Sequence, residues 1–425
     1  MEVLHPRCAG LDIHKDSVVA CVRIAEGARV VRHVQTFATT TTDLERLSEW
    51  LKSHGVTHVV MEATGVYWKP VWAVLCEETE RALALANAAH VKAVPGRKTD
   101  MNDATWLADL LAHGLIRPSF VPPTDVQALR DLTRTRKQFI RERSGHVQRI
   151  DKLLQGANLK LGSVLSDIMG QGGRAVLDAL ASGESDPERL ADQVRTKVRA
   201  SRAALVEALR GRLGAHQRVV LRLHLAQADA IEAAVAELDR AVGERLAPFC
   251  DDVARLSTMP GLSSVSASAI LSEIGSDMSR FPTPAHLVSW AGLCPRNDES
   301  AGRRRSTRLR PGAPWLKTLL VQAAWAAVRV KASYHSALFH RLRARRGAKK
   351  AIVAVAASML TAIHVMLARG VAYRDLGADH FERTNKERLA ARLMRNLKQL
   401  GYTVALTPMN PSGPVPCQEA EERAR

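Results

Sequence analysis

Short hydrophobic stretches separated by polar turns run through the first 120 residues. Strand-like runs of apolar residues cover 10–24, where a His-Lys-Asp turn typical of a hairpin interrupts them, and then 30–37, 56–61, 82–86 and 90–94. Apolar residues at helical spacing cover 42–54, 68–80 and 103–113. A glycine at position 114 is placed to end the last of these helices. Strands that alternate with helices predict an α/β domain.

The middle of the chain has longer hydrophobic repeats with helical spacing. They cover 124–155, among many Arg and Lys residues, and 197–248. Such long amphipathic stretches predict a helical hairpin or a coiled coil. The Gly-rich segment 169–173 between them predicts a loop or a helix break. A bundle with only a scaffolding role stays open beside a partner or dimer contact.

A third region, 254–372, begins with a Pro-Gly turn between two short helices. Pro260 and Gly261 form this turn, which resembles a helix-hairpin-helix, a motif whose turn amides can hold a DNA phosphate. A polar loop and two apolar helices follow. A short basic helix is predicted over 385–400, and the composition of 411–425 is typical of disorder.

The charge of the chain points toward nucleic acid. Lys and Arg number 61 against 43 Asp and Glu, which gives a formal net charge of +18. Such a surplus attracts polyanions, and phosphate contacts supply most non-specific nucleic-acid affinity. Aromatic residues make up only 4% of the chain, which argues against a base-stacking platform as the main binding mode. A basic soluble protein without a polyanion partner stays open.

Cysteine usage and the apolar runs favour a cytoplasmic protein. The six cysteines form no C-x-x-C pair, so neither a zinc ribbon nor a disulfide framework is predicted. The first residues lack the apolar run of a signal peptide. Because no stretch of about 18 uncharged apolar residues is found, we expect no membrane partner.

Four carboxylates in three short blocks form the first candidate site. Asp12 lies in the first predicted strand, Glu62 ends a later strand, and Asp100 and Asp103 open a helix. If the last two are helical, they share a face and repel each other unless a cation neutralises them. Such oxygen ligands suit Mg²⁺ or Mn²⁺, and a two-metal site can clamp a reacting phosphodiester. The order Asp, Glu, Asp, Asp resembles ribonuclease-H-like nucleases of the RuvC resolvase type.

The second candidate site is a serine in a predicted flexible polar loop. Ser300 is followed by a cluster of arginines, namely Arg303, Arg304, Arg305, Arg308 and Arg310. A serine hydroxyl can attack phosphorus to give a covalent phosphoserine, and guanidinium groups would stabilise the added charge. A phosphate contact or an ordinary loop residue is the simpler interpretation, and no local feature favours Ser300 over Ser306.

Both blocks together resemble the insertion-sequence transposases of the "one-ten" family, which includes the Piv-type site-specific DNA invertases. The resemblance covers roughly residues 8–372. Its motifs, with their first residue, are Gly-Leu-Asp-Ile-His-Lys-Asp (10), Met-Glu-Ala-Thr-Gly (61), Lys-Thr-Asp-Met-Asn-Asp-Ala-Thr-Trp-Leu-Ala (98), Met-Pro-Gly-Leu (259), Glu-Ile-Gly (273), Ala-Gly-Leu-Cys-Pro (291), Ser-Ala-Gly (300) and Gln-Ala-Ala-Trp-Ala (322). Their order and spacing are more specific than any single motif.

The resemblance implies a domain organisation. It predicts an α/β ribonuclease-H-like (RuvC-like) catalytic domain over 1–120 and a helical coiled-coil region over 121–250. A mainly α C-terminal transposase domain with the helix-hairpin-helix-like segment would follow over 251–375, and a partly disordered extension over 376–425.

The resemblance also assigns roles and partners. The family's four metal-binding acids fall on Asp12, Glu62, Asp100 and Asp103, with Mg²⁺ or Mn²⁺ as cofactor, and its nucleophile falls on Ser300. In the family these groups form one composite site for DNA cleavage and strand exchange. The implied partners are donor and target DNA, a structured non-coding guide RNA and further copies of the chain in a dimer or tetramer. The implied location is a bacterial-type cytoplasm, in association with the nucleoid.

Two departures from the family pattern concern the serine region. Ser-Ala-Gly at 300–302 stands where Ser-Gly is common, and Gly-Ala-Pro at 312–314 stands where Gly-Asn is usual, with Lys317 in place of a frequent Arg. Neither departure removes the nucleophile, but both leave the loop geometry open. A site-specific invertase, a RuvC-like structure-specific nuclease and an inactive nucleic-acid-binding copy stay as alternatives to an RNA-guided transposase.

Overall fold

The computed structural model describes most of the chain and divides it into two compact units. The described residues are 2–27, 29–63, 65–78, 80–93, 102–295, 298–300, 302–306, 308–309, 312–384 and 386–405. The division falls between Pro123 and Thr124. Each unit is described below by itself.

The first unit is built on a mixed sheet of five strands in the order β3-β2-β1-β4-β5. Their bounds are Arg7–Ile13 (β1), Ser17–Glu26 (β2), Arg29–Ala38 (β3), His58–Glu62 (β4) and Ala82–Ala86 (β5). The first three strands pair antiparallel, whereas β1, β4 and β5 run parallel. Along each strand, successive side chains lie on opposite faces of the sheet.

Helices cover both faces of this sheet. Their bounds are Thr41–Ser53 (α1), Trp68–Leu75 (α2), Ala88–Ala93 (α3) and Asp103–Ala112 (α4). Buried leucines of α1 and apolar residues of α2 pack on the face that carries Leu11 and Met61. Helix α4 packs on the other face, where Val60 contacts the same cluster as Leu107. The α/β architecture predicted from the alternating pattern is confirmed.

Two element predictions in this unit were wrong. The helix expected over 68–80 ends at Leu75, because an acidic run that includes Glu77, Glu78 and Glu80 follows and opposes the negative end of the helix dipole. The strand expected over 90–94 is instead α3 within the described residues. Alanines favour a helix there, and the amides of His90 and Val91 donate to the carbonyl of Asn87.

The second unit begins with two long helices that pack antiparallel. They are Thr124–Gly156 (α5) and Ala215–Leu246 (α10), and ion pairs join Arg136 to Asp239 and Arg143 to Glu232. Between them in sequence lie four short helices, with bounds Leu161–Val164 (α6), Gln171–Ser182 (α7), Pro187–Asp192 (α8) and Arg202–Ala208 (α9). One hydrophobic cluster joins these helices to the end of α5 and the start of α10. The predicted helical hairpin is confirmed as a helix pair.

Glycines interrupt the predicted helical stretch over 197–248. The helix is interrupted between α9 and α10. In this segment a Cβ on Gly211 would stand 2.5 Å from the carbonyl oxygen of Ala157. Gly214 then precedes the first residue of α10. In the segment 169–173, Gly172 and Gly173 lie inside the first turn of α7, so only part of it is a helix break. The sequence pattern therefore located the helices but not these interruptions.

The remainder of the second unit is mainly helical, with one small hairpin. Its helices are Cys250–Ser257 (α11), Ser264–Ile274 (α12), Pro284–Trp290 (α13), Pro314–Ala327 (α14), Tyr334–Arg346 (α15), Ala348–Arg369 (α16), His380–Thr384 (α17) and Lys386–Gln399 (α18). The hairpin strands are Asp298–Ser300 (β6) and Arg303–Ser306 (β7). The basic helix predicted over 385–400 is confirmed as α18, and the expected disorder of 411–425 lies outside the described residues.

Helix α16 is long and apolar enough to cross a membrane by length and composition alone. Over half of the apolar stretch of this helix is buried inside the protein, and Val355, Met359 and Ile363 are fully buried. The expectation that no such apolar stretch exists was therefore wrong as a statement about the sequence. The packing of α16 is that of a core helix.

Candidate active site

The ends of two parallel strands bring the first two candidate carboxylates to one edge of the sheet. Strands β1 and β4 pair in parallel with Leu11 opposite Met61. Asp12 and Glu62 are the next residues on each strand, so they occupy corresponding positions. Leu11 and Met61 are buried in the core on one face, and their successors therefore face the other side, which α4 covers.

Helix α4 begins at this same edge. It lies so close to β1 that a Cβ on Gly10 would stand 2.2 Å from the carbonyl oxygen of Ala104. Asp103, directly before Ala104, is the first residue of α4, and the side chain of Asn102 caps the helix by accepting from the Ala104 amide at 2.8 Å. The positive end of the helix dipole and three acids thus share one edge, an arrangement that favours negative charge.

A partly buried ion-pair network joins α4 to the sheet. The Asp109 carboxylate on α4 accepts from Arg23 of β2 at 2.9 Å and from Arg32 of β3 at 2.9 Å. The Arg23 side chain is only 4% exposed. Sequence reasoning missed this network, because Asp109 lies between apolar residues of a helix and its partners are more than seventy residues away. Its consequence is that the position of Asp103 is fixed by the sheet.

Asp100 lies outside the described residues, so its place relative to the other acids is a prediction. Since Asn102 is the non-helical cap of α4, the conditional argument that Asp100 and Asp103 share a helix face does not apply. Among the described residues, no three His, Cys, Asp or Glu side chains are grouped to hold a metal ion. The side chain of Asp12 is 22% exposed and lies 3.3 Å from His14 Nε2, a neighbour that sequence reasoning did not include.

The second candidate site lies in a β-hairpin and not in the flexible loop that was expected. Ser300 is the last residue of β6 and pairs with Arg303, the first residue of β7. Two residues, 301 and 302, connect the strands, and Gly302 has the positive φ of 71° that tight hairpin connections use. The backbone ladder therefore fixes the Ser300 main chain at a hairpin tip, although its side chain lies outside the described part of the structure.

Three of the arginines predicted beside Ser300, namely Arg303, Arg304 and Arg305, lie in β7 of the same hairpin, and Arg308 follows it. Arg303 and Arg308 are exposed. The side chains of Arg304 and Arg305, and the whole of Arg310, lie outside the described residues. The hydroxyl of Ser306 accepts from the Arg308 amide at 3.2 Å. This hydrogen bond gives the Ser306 hydroxyl a structural role.

The base of the hairpin is tied to the helices on either side of it. Pro295 and Leu309 form an isolated bridge that extends the pairing. A Cβ on Gly312 would stand 2.5 Å from the amide nitrogen of Gly292, just after α13. Helix α14 begins two residues later, at Pro314. The Gly at 312 is therefore required by close packing, even though the residue after it departs from the family pattern.

The Pro-Gly turn joins two short helices as predicted. Helices α11 and α12 flank Pro260 and Gly261, and Gly261 has φ of 90°. A Cβ on Gly261 would stand 2.5 Å from the carbonyl oxygen of Ala323 on α14, so packing against that helix explains this glycine. The hydroxyl of Ser263 caps α12 at the Ser266 amide. Binding of a DNA phosphate by this turn stays a prediction.

Comparisons with known proteins match both halves of the chain to transposases. A DEDD-type IS110 family model, described as "Transposase", matches residues 9–159, and a model described as "Transposase IS116/IS110/IS902 family" matches residues 253–340. The first match contains all four candidate acids, and the second contains Ser300 and the Pro-Gly turn.

Two curated relatives agree with these matches. The chain is 27% identical over 321 residues to a "Probable family 20 transposase" of Pseudomonas aeruginosa. The aligned region covers 74% of this chain and 85% of the relative. It is 25% identical over 383 residues to the "Transposase for insertion sequence element IS1111A" of Coxiella burnetii. Here the aligned region covers 86% of this chain and 90% of the relative. The chain therefore belongs to the IS110/IS116/IS902 family of insertion-sequence transposases.

Proposed function

We propose that this transposase cleaves and rejoins DNA with two groups of residues, the acids of the first unit and Ser300 of the second. The observation that supports the proposal is that Asp12, Glu62 and Asp103 lie at one edge of the sheet, which we call the acidic edge. On the face covered by α4, Asp12 lies next to the end of β1 and Glu62 ends the adjacent parallel strand β4, and Asp103 begins that helix. A RuvC-like nuclease domain needs its acids at one edge of such a mixed sheet, and the strand order observed here supports it.

The acids fit a divalent cation. Carboxylate oxygens are the kind of donor that suits Mg²⁺ or Mn²⁺. The proposed donors are Asp12, Glu62 and Asp103, with Asp100 from outside the described residues. A cation there would polarise a phosphoryl oxygen and stabilise the charge of the reacting phosphodiester. The protein's own contribution is to hold the carboxylates in place, through the β1–β4 register and the anchor of α4 at Asp109.

Ser300 supplies the covalent step in this proposal. Its Oγ forms a bond to phosphorus while the bond between phosphorus and the 3′ oxygen breaks, so that the DNA 5′ end becomes a phosphoserine. The hydroxyl proton leaves the serine, and the 3′ oxygen takes up a proton to become a free hydroxyl. The backbone pairing of the hairpin places Ser300 opposite Arg303, and the exposed Arg303 and Arg308 offer charge to the phosphate. Reversal of this step on another strand rejoins the DNA.

The partners follow from the family resemblance. We propose donor and target DNA as substrates, a structured RNA as guide, and a dimer or tetramer as the active form, in the cytoplasm of a bacterial-type cell near the nucleoid. The net charge of +18 supports the nucleic-acid partners. A site-specific invertase would use the same chemistry, and the DNA that flanks the gene separates the two functions.

A reconstituted reaction tests the proposal. Purified protein is mixed with Mg²⁺, labelled donor and target DNA and RNA transcribed from the end of the element. Recombined DNA and a protein–DNA adduct are the expected products. DNA that is cut but never rejoined, without an adduct, would instead identify a structure-specific nuclease. Binding of DNA without cleavage would identify an inactive copy.

A further inference from the structure

A half-open pocket of about 480 Å³, partly lined by arginines, lies among the end of α7, the segment 210–213 and the start of α10. This volume is within the roughly 300–1,000 Å³ range of ligand pockets. Arg210, Arg212 and Arg218 supply its charge, and Glu184 and Ser185 complete its polar lining. We name it the Arg218 pocket. It contains none of the residues assigned to the acidic site or to the serine hairpin.

Arg218 has unused hydrogen-bonding capacity in this pocket. Its Nε is buried and has no hydrogen-bond partner in the part of the chain that the structure describes. Its Nη1 lies beside the C-terminus of α7, where a Cβ on Gly183 would stand 3.4 Å away. The negative end of the α7 dipole therefore helps to position the guanidinium. It does not satisfy Nε, and a buried polar group without a partner is uncommon in native proteins.

The nearby carboxylates are already engaged with other groups. Glu184 accepts from the amides of Ser185 and Asp186, and these hydrogen bonds, with the charge of Arg189, lower the pKa of its carboxyl. Glu207 pairs with Arg210 at 3.0 Å. Within the fully described segment 102–295, Arg212 and Arg218 have no carboxylate partner. The pocket therefore carries a net positive charge that the described residues do not neutralise.

We infer that the Arg218 pocket binds a phosphate group of a nucleic-acid backbone. Guanidinium groups donate paired hydrogen bonds to phosphate oxygens, and arginine is the residue best suited to that geometry. A phosphate in the pocket would neutralise the charge of Arg212 and Arg218 and would accept hydrogen bonds from their guanidinium groups. The inference rests on the proposed binding of nucleic acid, but not on Ser300 or the acids. Variants that cannot cleave DNA are expected to keep this contact.

Binding measurements on the full-length protein test the inference. The probes are a fluorescently labelled RNA hairpin and a labelled DNA duplex of matched sequence, each titrated over a series of salt concentrations. The test variants are Arg212→Gln, Arg218→Gln and the double variant. The matched control is Arg202→Gln, which removes the same charge from an exposed arginine that Glu188 and Asp192 already engage.

The expected result is a loss of affinity of about tenfold or more in each test variant. The dependence of log affinity on log salt should fall by about 1 for each lost phosphate contact. The control should bind as the unchanged protein does. A loss for the RNA alone identifies RNA as the source of the phosphate, a loss for the duplex alone identifies DNA, and a loss for both identifies the backbone in general.

Two outcomes would overturn the inference. One is unchanged affinity for both probes in the double variant, and the other is an equal loss in Arg202→Gln, which would mean that only overall charge matters. Because Arg218 is partly buried, circular dichroism must show that its variant folds. If Arg218→Gln does not fold, Arg212→Gln decides the question, since the Arg212 side chain is exposed.

Discussion

Gly10 on β1 lies against Ala104 on α4, so close that a Cβ at position 10 would stand 2.2 Å from the Ala104 carbonyl oxygen. This contact sets the distance between the first strand and the helix that begins with Asp103. Asp12 is two residues further along the strand, on the same face. The position of Asp103 relative to Asp12 therefore depends on the absence of a side chain at residue 10.

Gly10→Ala should destabilise the first unit. Overpacking of a tight core costs about 1–3 kcal/mol, and here backbone atoms would have to move. The free energy of unfolding in urea measures this cost. Gly243→Ala is the matched control, because nothing lies within 4 Å of a Cβ there and the residue is inside α10. That control should gain about 0.5–1 kcal/mol, and equal losses in both variants would refute the packing argument.

Asp109→Asn should weaken the attachment of α4 to the sheet. The substitution leaves the guanidinium of Arg23 buried without its charged partner, which costs about 3–5 kcal/mol in comparable sites. Urea denaturation measures the change. Asp43→Asn removes a carboxylate that pairs with the exposed Arg46 and should cost at most about 1 kcal/mol. Similar losses for both variants would contradict the role given to Asp109.

The helix pair of the second unit should lose stability in mild acid through His224. Burial, then His146 and Arg149, lowers the pKa of His224 below its usual 6.5. The unfolded chain therefore binds a proton more readily, and stability is lost as the pH falls through 6.5 toward the folded-state pKa. Urea midpoints at neutral and mildly acidic pH should differ less in His224→Gln than in His216→Gln, an exposed control on the same helix. Identical pH dependence of the urea midpoint in both variants would show that His224 does not cause the loss of stability in mild acid.

The acidic edge should be essential for strand cleavage. Asp12→Asn, Glu62→Gln and Asp103→Asn should each reduce the cleavage rate by at least about a hundredfold, the scale for loss of one electrostatic contact to a transition state. Single-turnover cleavage of labelled DNA measures the rate. Asp125→Asn, in the first turn of α5, is a control for removal of an acid at a helix start. A rate near normal in Asp103→Asn would refute its catalytic role.

The fold of the first unit followed from its hydrophobic pattern because each element there is short and has a clear period. The hairpin of β1 and β2, strand β4 and helix α4 were all expected near their observed bounds. The α3 segment was not, because a short apolar run does not distinguish a strand from a helix. The high helix propensity of alanine favours a helix in this segment.

The candidate site was only partly accessible from sequence. Asp12 was expected in the first strand and Glu62 at the end of a later strand, yet their common face depends on the parallel register of β1 with β4, which no local pattern encodes. The hairpin at Ser300 was also missed. Its strands are three and four residues long and strongly polar, so the pairing of backbone groups holds them together without a hydrophobic signature.

The most direct measurement asks whether Ser300 becomes linked to DNA. The unchanged protein, Ser300→Ala and Ser306→Ala are each incubated with Mg²⁺, guide RNA and labelled donor and target DNA, then denatured and analysed by gel electrophoresis and peptide mass spectrometry. Ser306→Ala is the matched control, since its hydroxyl accepts a hydrogen bond from the amide of the nearby Arg308. We predict a phosphoserine adduct at residue 300 in the unchanged protein and in Ser306→Ala, and none in Ser300→Ala. An adduct that persists in Ser300→Ala would contradict the account.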